Sequence, residues 1–388
     1  MIRFLLLLIS LCYSTMLPAQ VIEVDMEEQY QNGLVFLQAN QFQEAIDAFY
    51  ECYRNDFNNI DLAAKLGYCY NRLGNLKEAR FFYEAILKRD SLHTNAISNL
   101  AAIAERELNY QQAKTYYNQL LVIDSTNSYY YRQSAFVRKR MGEILPAITQ
   151  FNKAHLLNPA DITIVDELAQ LYLRLDALRF AETFADKGIA LDSNNIRILY
   201  TNARVKSELD KHEEVVKYIK KAMAKGDSTI YYQRILSVSY LQLDSVEAAI
   251  FHLKRIIDKK QDSEHTHHYL GLAYQKLGEI ELSVAHLEQA IEKGISKRLG
   301  LYHRDLAALY EEQQQHKAAI DHYQAAYDHS PKAVYLFYLA RNHDLYYKDK
   351  RMAIRFYRKY LASNHPKYRE YTESRIVQLQ EIVHFQKR

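Results

Sequence analysis

The stretch that decides the fold spans residues 66–83 and reads LGYCYNRLGNLKEARFFY. It places one small residue, Gly67, twelve positions before another, Ala79, and a large aromatic residue, Tyr83, four positions after that alanine. Residues four apart lie on one face of a helix, so Ala79 and Tyr83 predict a packed helix face. A small residue such as Gly67 lets a second helix approach that face closely. The stretch therefore predicts two interlocking helices.

The alanine of this stretch returns every 34 residues. The positions in its register are Ala45, Ala79, Ala113, Ala147, Ala181, Val215, Ala249 and Ser283. The small residue recurs as Gly33, Gly67, Ala101, Ala135, Ala169, Ala203, Gly271 and Ala307, and the large residue as Phe49, Tyr83, Tyr117, Phe151, Ile219, Leu253, Leu287, Tyr323 and Tyr357. A 34-residue period is typical of a helical solenoid, in which each helix–turn–helix unit buries its apolar face against its neighbours.

This pattern resembles the tetratricopeptide repeat. The residues that carry the resemblance are Leu66-Gly67 with Tyr70, Gly74, Ala79 and Tyr83, and again Leu270-Gly271 with Tyr274, Gly278 and Leu287. The resemblance covers residues 26–366, which amounts to nine full repeats and a looser tenth. It implies an all-α fold, a right-handed superhelical solenoid of antiparallel helix pairs.

The pattern weakens in three places. Two extra residues near Arg298 and Leu299 shift the register before Ala319. The sixth repeat has Asn202, Lys206 and Val215 where small, aromatic and alanine residues are usual, and Arg138 takes the aromatic position of the fourth. We expect the sixth repeat, with Arg138 in the fourth, to be the weak joint of the solenoid.

Composition agrees with an all-helical array and leaves little room for a catalytic domain. The 388 residues include 10 Gly, 5 Pro, no Trp and 33 Tyr, whereas a strand-rich fold needs more turn residues. About 20 residues remain at each end, and a separate domain needs on the order of 100. No HExxH, GxSxG, P-loop or GxGxxG motif occurs. We therefore predict a protein that is not an enzyme and needs no cofactor.

The first residues predict an export signal. Arg3 is followed by an apolar run, residues 4–11, that is too short to span a bilayer as a stable anchor, and then by small and polar residues up to Ala19. Cys12 follows Leu11, which is larger than the residue that normally precedes a lipid-modified cysteine. We predict a signal peptide over residues 1–19 and an exported chain, periplasmic or associated with the cell envelope, that does not span a membrane.

Charge bears on the class of partner. The chain has 50 basic and 47 acidic residues. This near balance argues against nucleic acid or a charged membrane surface as the main partner and favours a protein.

Cysteines and histidines leave alternatives open. Cys52 and Cys69 lie on helices predicted to pack together, so they form either a disulfide or two small buried apolar residues. His265 and His268, three apart, have the minimum spacing for two metal ligands. His267 occupies a packing position and no carboxylate stands at the matching fourth residue, so we favour packing and predict no metal.

The resemblance implies that the first helix of each repeat lines a concave groove that takes a peptide or a helix. Basic residues expected there are Arg72, Arg106, Arg132, Arg140, Arg174 and Arg204, and tyrosines expected there are Tyr30, Tyr68, Tyr129 and Tyr200. Guanidinium groups bind carboxylates in a bidentate manner, which predicts an acidic segment as the ligand. The alternative is that cations stand there because the end of a helix favours them. The positions of the carboxylate clamp of chaperone-binding members hold Tyr30, Leu34, Ala64 and Tyr68, which argues against that partner.

The C-terminal stretch, residues 367–388, is predicted to form one more helix that caps the last repeat, or alternatively docks a partner or a second copy. We interpret the chain as a non-catalytic scaffold that holds a peptide or helical segment of a cell-envelope protein in its groove. Two alternatives remain: a non-catalytic subunit of an envelope biosynthesis or secretion complex, and a binder of small ligands or carbohydrates that uses the tyrosines.

Overall fold

The computed structural model describes residues 25–226 and 229–385, which form 21 α-helices and no strand. The helices are α1 (Met26–Gln38), α2 (Phe42–Asn55), α3 (Ile60–Leu73), α4 (Leu76–Leu87), α5 (Thr94–Arg106), α6 (Tyr110–Ile123), α7 (Ser128–Arg140), α8 (Ile144–Leu157), α9 (Ile162–Arg174), α10 (Leu178–Leu191), α11 (Ile196–Glu208), α12 (His212–Met223), α13 (Ile230–Gln242), α14 (Val246–Asp258), α15 (Glu264–Lys276), α16 (Ile280–Glu292), α17 (Leu299–Glu312), α18 (His316–His329), α19 (Ala333–Tyr346), α20 (Arg351–Ala362) and α21 (Arg369–Phe385). The all-α prediction is confirmed. The predicted signal peptide, residues 1–19, lies outside the described residues.

The chain divides into two compact units, residues 1–168 and residues 169–388. In the first unit, α1 packs on α2, α3 on α4, α5 on α6 and α7 on α8, and each pair also contacts the next. In the second unit the pairs are α11 with α12, α13 with α14, α15 with α16, α17 with α18 and α19 with α20. The predicted arrangement of paired neighbouring helices is therefore confirmed within each unit.

The small and large register positions interlock inside each pair. Ala79 and Tyr83 are buried on α4, and Gly67 of α3 faces the ring of Tyr83. A Cβ atom on Gly67 would lie 3.0 Å from Cζ of Tyr83, and one on Gly33 would lie 2.6 Å from Cε1 of Phe49. The missing side chain therefore lets the two helices of a repeat approach closely.

The turn between the two helices of a repeat has a shared conformation in the first nine repeats. A residue with positive φ stands at one register position in nine repeats of the described chain, namely Asn40, Gly74, Leu108, Gly142, Asp176, Asp210, Asp244, Gly278 and Gln314. Only three of these are glycine, the residue that adopts this conformation without steric cost. The turn therefore holds its shape even where the residue type does not favour it.

A pair of stacked rings recurs between the two helices of a repeat. The pairs are Tyr70–Phe82, Tyr172–Phe184, Tyr240–His252, Tyr274–His286, Tyr310–His322 and His343–Phe356, with centroids 5.2–5.7 Å apart and interplanar angles of 1–27°. In three repeats a histidine thus replaces phenylalanine without disturbing the stack. Unlike phenylalanine, histidine can be protonated near neutral pH.

The sixth repeat substitutes an ion cluster for a stack. Lys206 of α11 takes the place of the tyrosine and its side chain is only 4% exposed. Its Nζ lies 2.7 Å from Glu182, 3.0 Å from Asp186 and 3.4 Å from Glu214. Burial alone would lower the pKa of Lys206, but its hydrogen bonds to these carboxylates outweigh burial and raise it above the usual range. The position expected to be weak is thus occupied by a buried, charge-compensated side chain.

The two extra residues near Arg298 and Leu299 lie in the connection between α16 and α17 and at the first residue of α17. The buried carboxylate of Glu264 on α15 organises this connection by accepting hydrogen bonds from the amides of Ile295 at 2.8 Å and Ser296 at 3.3 Å. A local loop therefore absorbs the change of register, and α17 and α18 pack as the other pairs do.

The last helix, α21, packs on α20 through buried Ile376 and Leu379, which lie in one apolar cluster with Tyr357 and Tyr360. Within the described residues, every helix is too short or too polar to cross a bilayer.

Candidate functional site

Three of the predicted groove arginines stand at equivalent places in the first unit. Arg72 lies in the last turn of α3, Arg106 in that of α5 and Arg140 in that of α7, and all three are exposed. We call these three residues the arginine column. The end of a helix carries partial negative charge, so each cation is favoured locally before any ligand is considered.

The partners of the column are uncharged. Nη1 of Arg72 donates to the hydroxyl of Tyr68 at 2.8 Å, and Nη1 of Arg106 donates to the side-chain oxygen of Asn71 at 2.5 Å. Nη1 of Arg140 lies 3.4 Å from the hydroxyl of Tyr110. Across the described residues, none of these three guanidinium groups makes an ion pair. The positive charge of the column is therefore available to an anionic ligand.

Two of the arginines also lie over aromatic rings. The guanidinium carbon of Arg72 is 4.9 Å from the ring centroid of Phe42, and that of Arg140 is 5.9 Å from that of Tyr110. Phe42 and Tyr110 each open the second helix of the preceding repeat. A ring in this place holds the guanidinium plane while leaving N–H groups on its edge for a carboxylate.

Sequence reasoning missed these supporting residues. The available signal was spacing, because Phe42 and Tyr110 each precede their arginine by 30 residues. The residue 30 before Arg106 is Leu76, which cannot stack in the same way, and Arg106 turns to Asn71 instead.

The other basic residues expected in the groove behave differently. Arg132 is paired with Asp161 at 2.6 Å, and neighbouring Lys139 is paired with Glu167. Arg174 and Arg204 belong to the second unit, where Arg174 is exposed at the end of α9 and Arg204 is half-buried in α11. The structure therefore separates three arginines without an ion pair among the described residues from two cations, Arg132 and Lys139, that are paired with acidic side chains.

The expected groove tyrosines divide in the same way. Tyr68 and Tyr129 are 40% and 42% exposed on first helices of the first unit. Tyr30 is half-buried and donates to Asp61 at 2.9 Å. Tyr200 differs from the expectation, because it is 5% exposed and stacks on Tyr232 with 3.5 Å between ring centroids. Helices α11 and α13 contact each other there, so this ring packs in the core rather than facing a ligand.

Cys52 and Cys69 are free thiols, and both are buried. The Sγ atom of Cys52 lies 3.4 Å from the carbonyl oxygen of Met26, and burial raises the pKa of Cys69 to about 11. In this structure the two residues are small buried groups, which is the alternative to a disulfide left open by the sequence.

The crowded histidines of α15 form hydrogen bonds inside the second unit. His267 lies between Asp262 at 3.1 Å and His286 at 3.0 Å, and His268 contacts Asp305 at 2.7 Å. In residues 25–226 and 229–385, no three His, Cys, Asp or Glu side chains are grouped so that they could hold a metal ion.

Two family models of the tetratricopeptide repeat match the sequence, one over residues 36–104 and one over residues 270–334. The chain contains tetratricopeptide repeats. The matched segments include the stretch that predicted the fold and the repeat of Gly271 and Leu287, whose packing the structure has shown. The repeats are those of a protein-interaction scaffold.

Several solved structures are similar to this chain. A tetratricopeptide repeat protein from Parabacteroides merdae is 17% identical, with 63% of this chain and 98% of that chain covered and a TM-score of 0.46. The Cut9 and Hcn1 structure of the APC/C is 12% identical over 91% of this chain and 96% of that chain, with a TM-score of 0.48. The MamA protein is 20% identical, with 43% of this chain and 91% of that chain covered and a TM-score of 0.40. A search of the curated proteins found no match.

Proposed function

We propose that this protein is an exported scaffold that binds an acidic segment of a cell-envelope protein along the arginine column of its first unit. The observation that carries the proposal is that Arg72, Arg106 and Arg140 are exposed, donate to uncharged groups and form no ion pair within the described residues. A carboxylate that approached any of them would form a charge-assisted hydrogen bond without breaking an existing ion pair.

The exposed tyrosines favour a protein ligand. Tyr68 lies beside Arg72, and Tyr129 lies beside Arg132 with 5.4 Å between its ring centroid and the guanidinium carbon. Tyrosine presents a flat apolar surface with a polar tip, which is common anchor chemistry in protein interfaces. An acidic segment with intervening apolar residues would thus meet both kinds of group.

Selection from a library of random peptides on the purified chain tests the ligand class. We expect the selected peptides to be enriched in Asp and Glu relative to the starting library. The triple variant Arg72→Glu, Arg106→Glu, Arg140→Glu should lose this enrichment. It should also bind a selected peptide at least about tenfold more weakly, since each lost charge-assisted hydrogen bond is worth about 1.5–3 kcal/mol.

A matched variant controls for net charge. Arg54, Lys77 and Lys88 are exposed on or next to the second helices of the same unit. The variant Arg54→Glu, Lys77→Glu, Lys88→Glu carries the same change of charge, and we expect it to select acidic peptides as the natural chain does. Selected peptides that are not enriched in Asp and Glu would contradict the proposal. An equal loss of peptide binding in the arginine-column variant and in the control variant would also contradict it.

Export is tested separately with a reporter that is active only outside the cytoplasm. Residues 1–25 fused to an alkaline phosphatase that lacks its own signal should give activity, and Leu6→Arg with Leu7→Arg should abolish it, because charge in the apolar run prevents signal function. Activity that survives the double substitution would refute the signal.

A further inference from the structure

The first and last repeats carry opposite charge. Residues 26–59, the first repeat, contain six acidic residues and one basic residue, Arg54. Residues 348–369 contain eight basic residues and one acidic residue, Asp349. A chain whose formal net charge is only +3 therefore concentrates negative charge in its first repeat and positive charge in its last.

The acidic charges of the first repeat form a face on α2. Glu44, Asp47 and Glu51 stand three and four residues apart, so they lie on one side of the helix, and all three are exposed. Glu51 lies 3.3 Å from Arg54, and Asp47 accepts a hydrogen bond of 3.1 Å from the side-chain amide of Gln43. We call these three residues the acidic face.

The basic charges of the last repeat line a groove of about 770 Å³ between α20 and α21. Arg351, Arg355, Arg358 and Lys359 of α20 contribute the charge, and Ile354 and Val383 contribute apolar surface. The guanidinium of Arg351 is held by Asp349, with hydrogen bonds of 2.7–2.9 Å. Among the described residues, Arg355, Arg358 and Lys359 form no ion pair. We call this the basic groove.

The two surfaces use the same side of equivalent helices. Asp47 follows its register alanine, Ala45, by two residues, and Arg355 follows Ala353 by two. Glu51 and Lys359 follow the same alanines by six. The outer face of the second helix is thus acidic at one end of the array and basic at the other.

We propose that the acidic face of one copy docks in the basic groove of a second copy. The occupant is this chain itself, because its first repeat supplies at least three exposed carboxylates at helical spacing for the three unpaired cations of the groove. Such a contact is heterologous, so each associated pair leaves one acidic face and one basic groove free, and association continues into a chain or closes into a ring.

Ionic strength and concentration provide the first test. Exposed ion pairs are weak one by one and are screened by salt, so we expect the full-length chain to self-associate as its concentration rises in low salt and to dissociate in high salt. Light scattering should report an average mass of about twice the monomer or more. A chain that stays monomeric at every concentration in low salt would overturn the proposal. Binding of the groove to vesicles of phosphatidylglycerol without self-association would overturn it as well.

Charge reversal provides the sharper test. One variant carries Glu44→Lys, Asp47→Lys and Glu51→Lys, and the other carries Arg355→Glu, Arg358→Glu and Lys359→Glu. We expect each variant alone to be monomeric. Their mixture should associate again, because the intact basic groove of the first variant and the intact acidic face of the second are complementary, and the two reversed surfaces are also opposite in charge.

The control variant Glu213→Lys, Glu247→Lys, Glu281→Lys reverses three exposed glutamates on second helices of middle repeats. It should self-associate as the natural chain does. Circular dichroism should show equal helical content in all variants. Reversed variants that associate like the natural chain, or a mixture of folded variants that stays monomeric, would overturn the proposal.

Discussion

The hydroxyl of Tyr117 donates a hydrogen bond of 2.8 Å to Oε1 of Glu105, joining the two helices of the third repeat. The same pair recurs in the ninth repeat, where Tyr323 donates to Glu311 at 3.0 Å. Burial raises the pKa of Glu105, although the bond from Tyr117 favours its charged form. A packing residue of the tetratricopeptide pattern thus also satisfies a partly buried carboxylate.

We expect Tyr117→Phe to lower the free energy of unfolding by about 1–3 kcal/mol, because it leaves the carboxylate of Glu105 without its donor. Tyr83 is the matched control, since it holds the same register position and Asn71 stands where Glu105 stands. Tyr83→Phe should cost clearly less. Denaturant titration measures both, and equal losses would show that the hydrogen bond to the carboxylate contributes nothing.

Lys206 should be more sensitive to substitution than an exposed lysine of the same cluster. Lys206→Met removes the buried cation from three carboxylates that are 24–51% exposed, and the loss of its charge-assisted hydrogen bonds should cost about 1.5–3 kcal/mol. Lys211 binds Glu182 at 2.6 Å but is 44% exposed, so Lys211→Met should cost less than about 1 kcal/mol. Thermal unfolding of the two variants compares them directly, and similar losses would refute a special role for burial.

The histidine stacks should make the second unit sensitive to acid. Burial, His322 and His329 lower the pKa of His303 from 6.5 to about 4. Nδ1 of His303 lies 3.0 Å from Nδ1 of His322, which stacks on Tyr310 and has Glu288 and Asp321 nearby. The folded state holds His303 neutral, so its contribution to stability is present above pH 6.5 and is lost as the pH falls toward 4.

Phenylalanine occupies the His322 position in other repeats, which makes His322→Phe a conservative test. We expect the Tm of this variant to fall less between pH 7.5 and pH 5, values on either side of the usual histidine pKa of about 6.5. The reverse change, Phe82→His in the stack with Tyr70, should increase the fall. An unchanged pH dependence in both variants would disprove the acid sensitivity of the stacks.

The turn position of the third repeat offers a stabilising substitution. Leu108 has φ +59° and is 68% exposed, so it gains little from packing while it adopts a strained conformation. Leu108→Gly should raise stability by about 0.5–1 kcal/mol, because relief of strain exceeds the added freedom of the unfolded chain. Leu92 is also exposed but does not have a positive φ, so Leu92→Gly should lower the stability of the protein. A loss at Leu108 would contradict the strain argument.

The 34-residue period predicted the fold because the contacts that build a repeat are short in sequence. Gly67 and Tyr83 belong to adjacent helices, so their spacing alone places one against the other. The partners of long polar side chains were not predictable in the same way. Arg106 reaches Asn71 in the preceding repeat, and Lys206 gathers carboxylates from three places along the chain. Such reach depends on neighbouring residues that a single register position does not reveal.

The candidate site was predicted only in outline for the same reason. The period placed Arg72 and Arg132 on the first helices, but it could not show that Asp161 neutralises Arg132 while Arg72 donates to the uncharged hydroxyl of Tyr68. Tyr200 was misplaced because its burial depends on Tyr232, two helices further along. Position in the repeat thus predicts on which helix and at which register position a residue lies. Whether a neighbouring side chain neutralises its charge is seen only in the three-dimensional structure.

The left-handed turn shared by nine repeats bears on how such a chain could change over generations. A segment that runs from one such turn to the next begins and ends with the same backbone geometry, so its gain or loss by unequal recombination would leave the joins on either side unaltered. An insertion of any other length changes the register and has to be accommodated in a loop. The connection organised by Glu264 accommodates an insertion of two residues in this way. Lineages of this protein should therefore differ in length mostly by multiples of one repeat.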